Sequence, residues 1–144
     1  MKKCILAAIV CCLMSVTAFA QSAIGIRGGY GWEVSYQNYL GNSTRAELDL
    51  GLGHGNGLNL AAIYQFVGNI DGGFNWYIGP GVDGFLGQWI GVGIGGQLGA
   101  EYNFDAIPFQ ISVDYRPIYM FEIHNGEAFA PFYGSWALAF RYTF

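Results

Sequence analysis

Charged residues spaced two apart, in a chain where only 11% of residues are charged, are the feature most able to carry chemistry. Arg45, Glu47 and Asp49 alternate with Ala46, Leu48 and Leu50, and Asp114 and Arg116 flank Tyr115. On a strand, residues two apart share a face, so these guanidiniums and carboxylates would converge. Arg27, Glu33, Asp83, Glu101 and Arg141 hold the small-or-polar positions of their own alternating runs. Ten such groups on one surface could pass a proton or an ion, or could lock to one another. Nucleophilic catalysis would need a base beside its nucleophile. The two histidines, His54 and His124, fall in turn-like segments, and Ser135, near His124 in the chain, takes the small-or-polar face without an evident acidic orienter. No enzyme is expected. His54, Glu122 and His124 lack the spacing that fixes a tetrahedral metal site, and no metal or cofactor is expected.

The elements that position those residues begin only after a leader. Lys2 and Lys3 precede an apolar run from Ile5 to Val16, and Ala18-Phe19-Ala20 offers small residues for cleavage, so residues 1–20 read as a signal peptide and 21–144 as one exported domain starting at Gln21. The run is shorter than the roughly 20 apolar residues that span a bilayer. Neither Cys11 nor Cys12 follows a small residue, which sets a lipoprotein aside. Cys4, Cys11 and Cys12 all lie in the leader, leaving the mature 124 residues without a thiol or disulfide. Both lysines leave too, so four arginines face ten acidic residues at a net charge of −6. No basic patch exists for nucleic acid.

With 53% hydrophobic and 17% aromatic residues, the chain is too apolar for an ordinary exported soluble domain. Yet nothing after Gln21 offers 18 consecutive apolar residues for a transmembrane helix. The 23 glycines argue against long helices, each costing about 1 kcal/mol relative to alanine there. Period-two alternation instead predicts strands: 24–30, 33–40, 44–53, 58–67, 74–83, 89–104, 107–121 and 129–144. Gly31-Trp32 is expected to turn the chain, although 24–37 alternates without a break and could be one strand. Even parity favours the split, since a barrel with both ends on one side needs an even number of strands. Residues 68–73 and 122–128 are expected to be loops, and Pro80, which cannot donate to a ladder, predicts a bulge nearby.

In that topology the large residues of each strand face outward. Tyr36, Tyr64, Phe66, Phe74, Trp76, Tyr102, Phe104, Phe109, Tyr142 and Phe144 fall at one end, Tyr30, Trp32, Trp89, Tyr119 and Phe121 at the other, and aliphatics such as Leu50, Val92 and Leu138 lie between. Two aromatic belts around an aliphatic band suit a membrane barrel. A soluble sandwich would need polar outer faces that these strands lack. The fold class expected is therefore all-β, an eight-stranded antiparallel up-and-down transmembrane β-barrel behind a cleaved signal peptide.

The chain ends Trp136-Ala-Leu138-Ala-Phe140-Arg-Tyr142-Thr-Phe144, with every large residue on one face. This ending resembles the C-terminal assembly signal of bacterial outer-membrane barrels, with Phe140, Tyr142 and Phe144 on the signal positions and Ala139 where a glycine is common. Together with Ile24-Gly-Ile-Arg-Gly-Gly-Tyr-Gly31, Glu101-Tyr-Asn-Phe104, Asp114-Tyr-Arg-Pro117 and Arg141-Tyr-Thr-Phe144, the mature chain resembles the small glycine-rich eight-stranded outer-membrane barrels of Bacteroidetes-like bacteria. The resemblance implies residence in the outer membrane of a Gram-negative bacterium, contact with its lipids, insertion by the barrel assembly machinery through the last strand, and a monomer. It implies no reaction.

An eight-stranded barrel is about wide enough for side chains to fill it. Arg27, Glu33, Arg45, Glu47, Asp49, Asp83, Glu101, Asp114, Arg116 and Arg141 then form a lumen charge network, read as tying opposite walls together because isolated charges there would be costly. Gly51, Gly53, Gly79, Gly81, Gly91, Gly93 and Gly95 cluster inward toward the outer half. They either open a vestibule for a small ligand or permit the close packing of a narrow barrel, and the second reading is adopted. The role expected is structural or surface-interacting, with ligand-binding or porin-like transport as the alternative and a lipid-modifying enzyme third. Protein purified from the membranes of a Gram-negative host should begin at Gln21 by intact mass; a chain retaining 1–20 would contradict the leader reading.

Overall fold

The computed structural model describes residues 21–29, 31–52, 57–124 and 126–144, with the backbone alone at His124. The leader, Tyr30, Gly53 and His54 lie outside the described residues. Alternation becomes nine strand segments: β1 (Ser22–Gly28), β2 (Trp32–Tyr39), β3 (Thr44–Leu52), β4 (Leu58–Asp71), β5 (Phe74–Leu86), β6 (Ile90–Asn103), β7 (Phe109–His124), β8 (Glu127–Phe129) and β9 (Phe132–Thr143). Successive walls pair antiparallel, and β1 pairs with β9 to close the ring. Segments β8 and β9 hold the same register against β7, from Glu122↔Phe129 to Phe109↔Tyr142. They are one wall interrupted at Pro131, so the fold is a closed eight-stranded antiparallel barrel. At the terminal end the seam is sealed by reciprocal backbone bonds between Ser22 and Phe144, at 2.9 and 2.8 Å.

Several boundaries differ from the sequence reading, each for a local reason. β1 ends at Gly28 and β2 begins at Trp32, which pairs with Gly28, so Trp32 belongs to the strand. Residues 68–71 continue β4, because Asn69 bonds the Gly72 carbonyl (2.9 Å) and Asn75 (2.8 Å), and a two-residue turn then suffices, with Gly72 at φ 53°. A glycine there avoids the steric penalty of that left-handed conformation. The bulge lies at Asn69/Asp71 and not at Pro80: the register is the same at Ile63↔Gly81 and Phe66↔Ile78 on either side of it. The missing N–H omits a bond without inserting a residue. β5 continues past Asp83 to Leu86. Residues 122–128 form a hairpin extension of β7 and β8 rather than a loop, turning beside Gly126 at φ 84°.

The packing is inside out. Among the described residues eighteen polar or charged residues are buried against nine apolar ones, of which four are alanine. The large apolar residues instead cover the outside, up to Trp32 at 72% exposure. Ring pairs collect at the terminal end, Phe74 with Tyr102 at 4.7 Å and Phe109 with Phe140 at 5.0 Å. Others collect at the far end, Tyr115 with Trp136 at 5.2 Å and Tyr119 with Phe132 at 5.1 Å. Trp89 is not in that outer belt. It follows the odd, inward parity of β6 and stacks on buried Phe85 at 4.0 Å between centroids.

Inward glycines make room for those large inward residues. A Cβ on Gly99 would stand 2.6 Å from both Cζ and Oη of Tyr77, and one on Gly91 would stand 2.4 Å from the Trp89 ring. A Cβ on Gly84, which has the outward parity of β5, would meet its nearest atom only at 4.0 Å. Gly99→Val should therefore lower the urea-unfolding stability of the refolded barrel by about 1–3 kcal/mol through overpacking. Gly84→Ala should stay within about 0.5 kcal/mol of the parent.

Candidate functional site

Period two places all ten charged residues on the inner face, and closing the ring brings them within bonding reach. Glu47 on β3 is at the centre, fully buried. Its Oε2 accepts from Gln37 Nε2 at 2.5 Å, Gln65 Nε2 at 3.0 Å and Arg141 Nη2 at 3.2 Å. Its Oε1 accepts from Gln97 Nε2 at 3.0 Å and Arg116 Nη2 at 3.2 Å. These donors come from β2, β4, β6, β7 and β9, so one carboxylate gathers five walls.

Around it the arginines cross the lumen. Arg27 on β1 bonds Asp114 on β7 through Nη2 (2.5 Å) and Nε (3.3 Å), and Glu33 on β2 at 2.7 Å. Arg45 on β3 grips Glu101 on β6 with both terminal nitrogens, at 2.9 and 2.6 Å, and also bonds Gln65. Its guanidinium lies 4.8 Å from the centroid of the Tyr77 ring, a cation–π contact. Arg116 reaches Asp49 as well as Glu47, with Glu33 at 3.7 Å. Arg141 adds Ser35 and Ser112, its Nη1 donating to Ser112 Oγ at 2.8 Å. Two-pronged charge-assisted bonds such as Arg27–Asp114 are the strong ones, and the glutamines satisfy the lone pairs of Glu47 that its ion pairs alone would leave. Asp83 is drawn into no ion pair among the described residues.

The neutral partners were visible by parity, yet sequence reading gave Gln37, Gln65 and Gln97 no part beside the charges. The upper lumen was expected to be closely packed about its glycines rather than open as a vestibule, and it holds a cavity. There Phe85, Trp89, Ile118 and Met120 surround a cavity of about 270 Å³ at the far end, with Arg27, Glu33, Asp83 and Arg116 toward its floor and Tyr133, Gly134 and Ser135 on one side. Gly91 and Gly93 do not open it, because Trp89, Met120 and Ile118 lie over them. Ser135 lines this cavity, whereas His54 and the His124 side chain lie outside the described residues. Phe140, Tyr142 and Phe144 all face outward, about half exposed.

A closed antiparallel barrel of eight walls, apolar outside and charged within, is the architecture of the small outer-membrane type. The chain is similar in fold to the crystal structure of Neisserial surface protein A, with a TM-score of 0.62 at 13% identity over 87% of this chain and 94% of that one. No protein-family model and no curated protein matches the sequence.

Removing the central carboxylate leaves Arg141 without its ion pair and Arg116 with less than its full complement. Glu47→Leu should cost about 3–5 kcal/mol in urea unfolding, as expected when one member of a buried pair is deleted. Glu47→Gln, which keeps an acceptor oxygen, should cost less. Equal stability of the Leu variant and the parent would mean that the arginines find water instead.

Proposed function

We propose that this chain is an integral outer-membrane barrel with a structural or surface-interaction role, its lumen closed to ions by the charge network. The observation that supports the reading is the Glu47 centre: a fully buried carboxylate that accepts hydrogen bonds from five walls occupies the lumen at mid-height. The outer face supports residence in a bilayer, since its aliphatic band between aromatic ends matches what lipid requires.

In this reading residues 1–20 direct export and are cleaved. The last strand, through Phe140, Tyr142 and Phe144, presents the chain to the barrel assembly machinery of a Gram-negative bacterium. The mature protein is a monomer surrounded by outer-membrane lipid and carries out no catalysis. The motifs at 24–31, 101–104 and 114–117 favour the short glycine-rich barrels of Bacteroidetes-like bacteria. The connection at 87–89 is short, so among the described residues a surface partner would meet mainly the β7–β8 hairpin.

The test is single-channel recording of the refolded mature protein in a planar bilayer, with heat-modifiable gel mobility establishing that the same sample is folded. Folded protein should give no discrete conductance steps. Stable steps that shift on Glu47→Gln or Asp114→Asn would show that the charged layer lines a path, and would replace this reading with transport.

A further inference from the structure

The far-end cavity has a chemistry that the structural role does not require. Its walls are aromatic and aliphatic: Phe85 and Trp89, stacked at 4.0 Å, stand with Ile118 and Met120. Its floor is charged, and the charges there are not equivalent. Both guanidiniums are already engaged, Arg27 by Asp114 and Glu33, and Arg116 by Asp49 and Glu47. An anionic ligand would compete with those carboxylates for the guanidiniums.

Asp83 is the exception. It is only 6% exposed and lines the cavity, yet it makes no ion pair among the described residues. Asn59 hydrogen-bonds it, and Arg116, Arg27 and Glu33 act on it electrostatically without forming an ion pair. The inner surface as a whole leans the same way: four arginines face Glu33, Glu47, Asp49, Asp83, Glu101, Asp114 and the buried Glu122. A buried carboxylate outside any ion pair is costly, and a cation supplied from outside would reduce that cost.

We propose that this cavity binds a small organic ammonium with an aromatic or aliphatic body, its cationic nitrogen on the Asp83 carboxylate and its body between Phe85, Trp89 and Met120. The volume, near the lower end of the roughly 300–1,000 Å³ of small-molecule sites, limits the ligand to a single ring or a short chain. The aromatic pair adds a cation–π surface next to the acid. A metal ion would gain nothing from the apolar walls, and a neutral apolar ligand would leave Asp83 uncompensated. The site is independent of whether the barrel conducts.

Isothermal titration of the folded mature barrel in lipid nanodiscs, with 2-phenylethylamine and its neutral isostere 2-phenylethanol as probes and empty nanodiscs as reference, decides the matter. The amine should bind saturably and at least about tenfold more tightly than the alcohol, the size of a charge-assisted hydrogen bond in a site of this kind. Asp83→Asn, nearly isosteric and checked for heat-modifiable mobility, should remove that preference, weakening the amine by about tenfold while leaving the alcohol unchanged. Asp71→Asn, at the opposite end of the barrel, should change neither. Equal affinities for amine and alcohol, an amine affinity unaltered in Asp83→Asn, or no saturable heat from folded parent protein would each overturn the proposal.

Discussion

The carboxylate of Glu47 is the point on which the interior depends. Five donors from five walls meet on its two oxygens, and two of them are guanidiniums that span the lumen. A buried ion pair is not stabilising in itself, because removing both charges from water costs as much as their attraction returns. What changes the balance here is completeness. Gln37, Gln65 and Gln97 fill the acceptor sites that Arg116 and Arg141 leave, so the carboxylate is fully hydrogen-bonded in a medium where each such bond is stronger than in water.

That role for polar contacts comes from the inverted packing. With the large apolar residues on the outside, the hydrophobic effect between side chains cannot fill the centre, and cohesion falls to the backbone ladders and the polar interior. Every wall is hydrogen-bonded on both sides over at least part of its length, including the seam between Ser22 and Phe144. Close approach of walls requires small residues opposite large ones, which explains why glycine is abundant on the inner face. Gly99 admits Tyr77, whose hydroxyl reaches Asp114 at 3.3 Å, and so one glycine supports part of the charge network.

The lumen is not uniform along its axis. Toward the termini and at mid-height it is filled by arginines, acids and amides bonded to one another. Above them, apolar side chains take over and leave a cavity beside Asp83. The change comes where β1 ends: its pairing with β9 stops at Gly28↔Leu138, and farther along β9, Tyr133 to Ser135 become cavity wall. A filled middle and a lined upper chamber thus occupy different heights of one barrel.

Period two was enough to determine from the sequence which face each residue takes, because strand geometry sends successive side chains to opposite sides regardless of partners. Hence the strand number, the outward aromatics and the inward charges were legible in runs such as Arg45 to Gly51. Strand ends were less so: Asn69 and the β7–β8 hairpin extend their strands by side-chain and cross-strand bonds that alternation does not encode. The structure alone decided who meets whom. Arg27–Glu33 and Gln37–Glu47 are neighbours across adjacent strands, but Arg27–Asp114, Arg45–Glu101 and Arg116–Asp49 are contacts across the lumen, set by register and closure. The same closure seated Trp89 on Phe85 and left Asp83 outside the ion pairs, and neither partner could be read from spacing along the chain, because lumen distances depend on how the whole sheet curls.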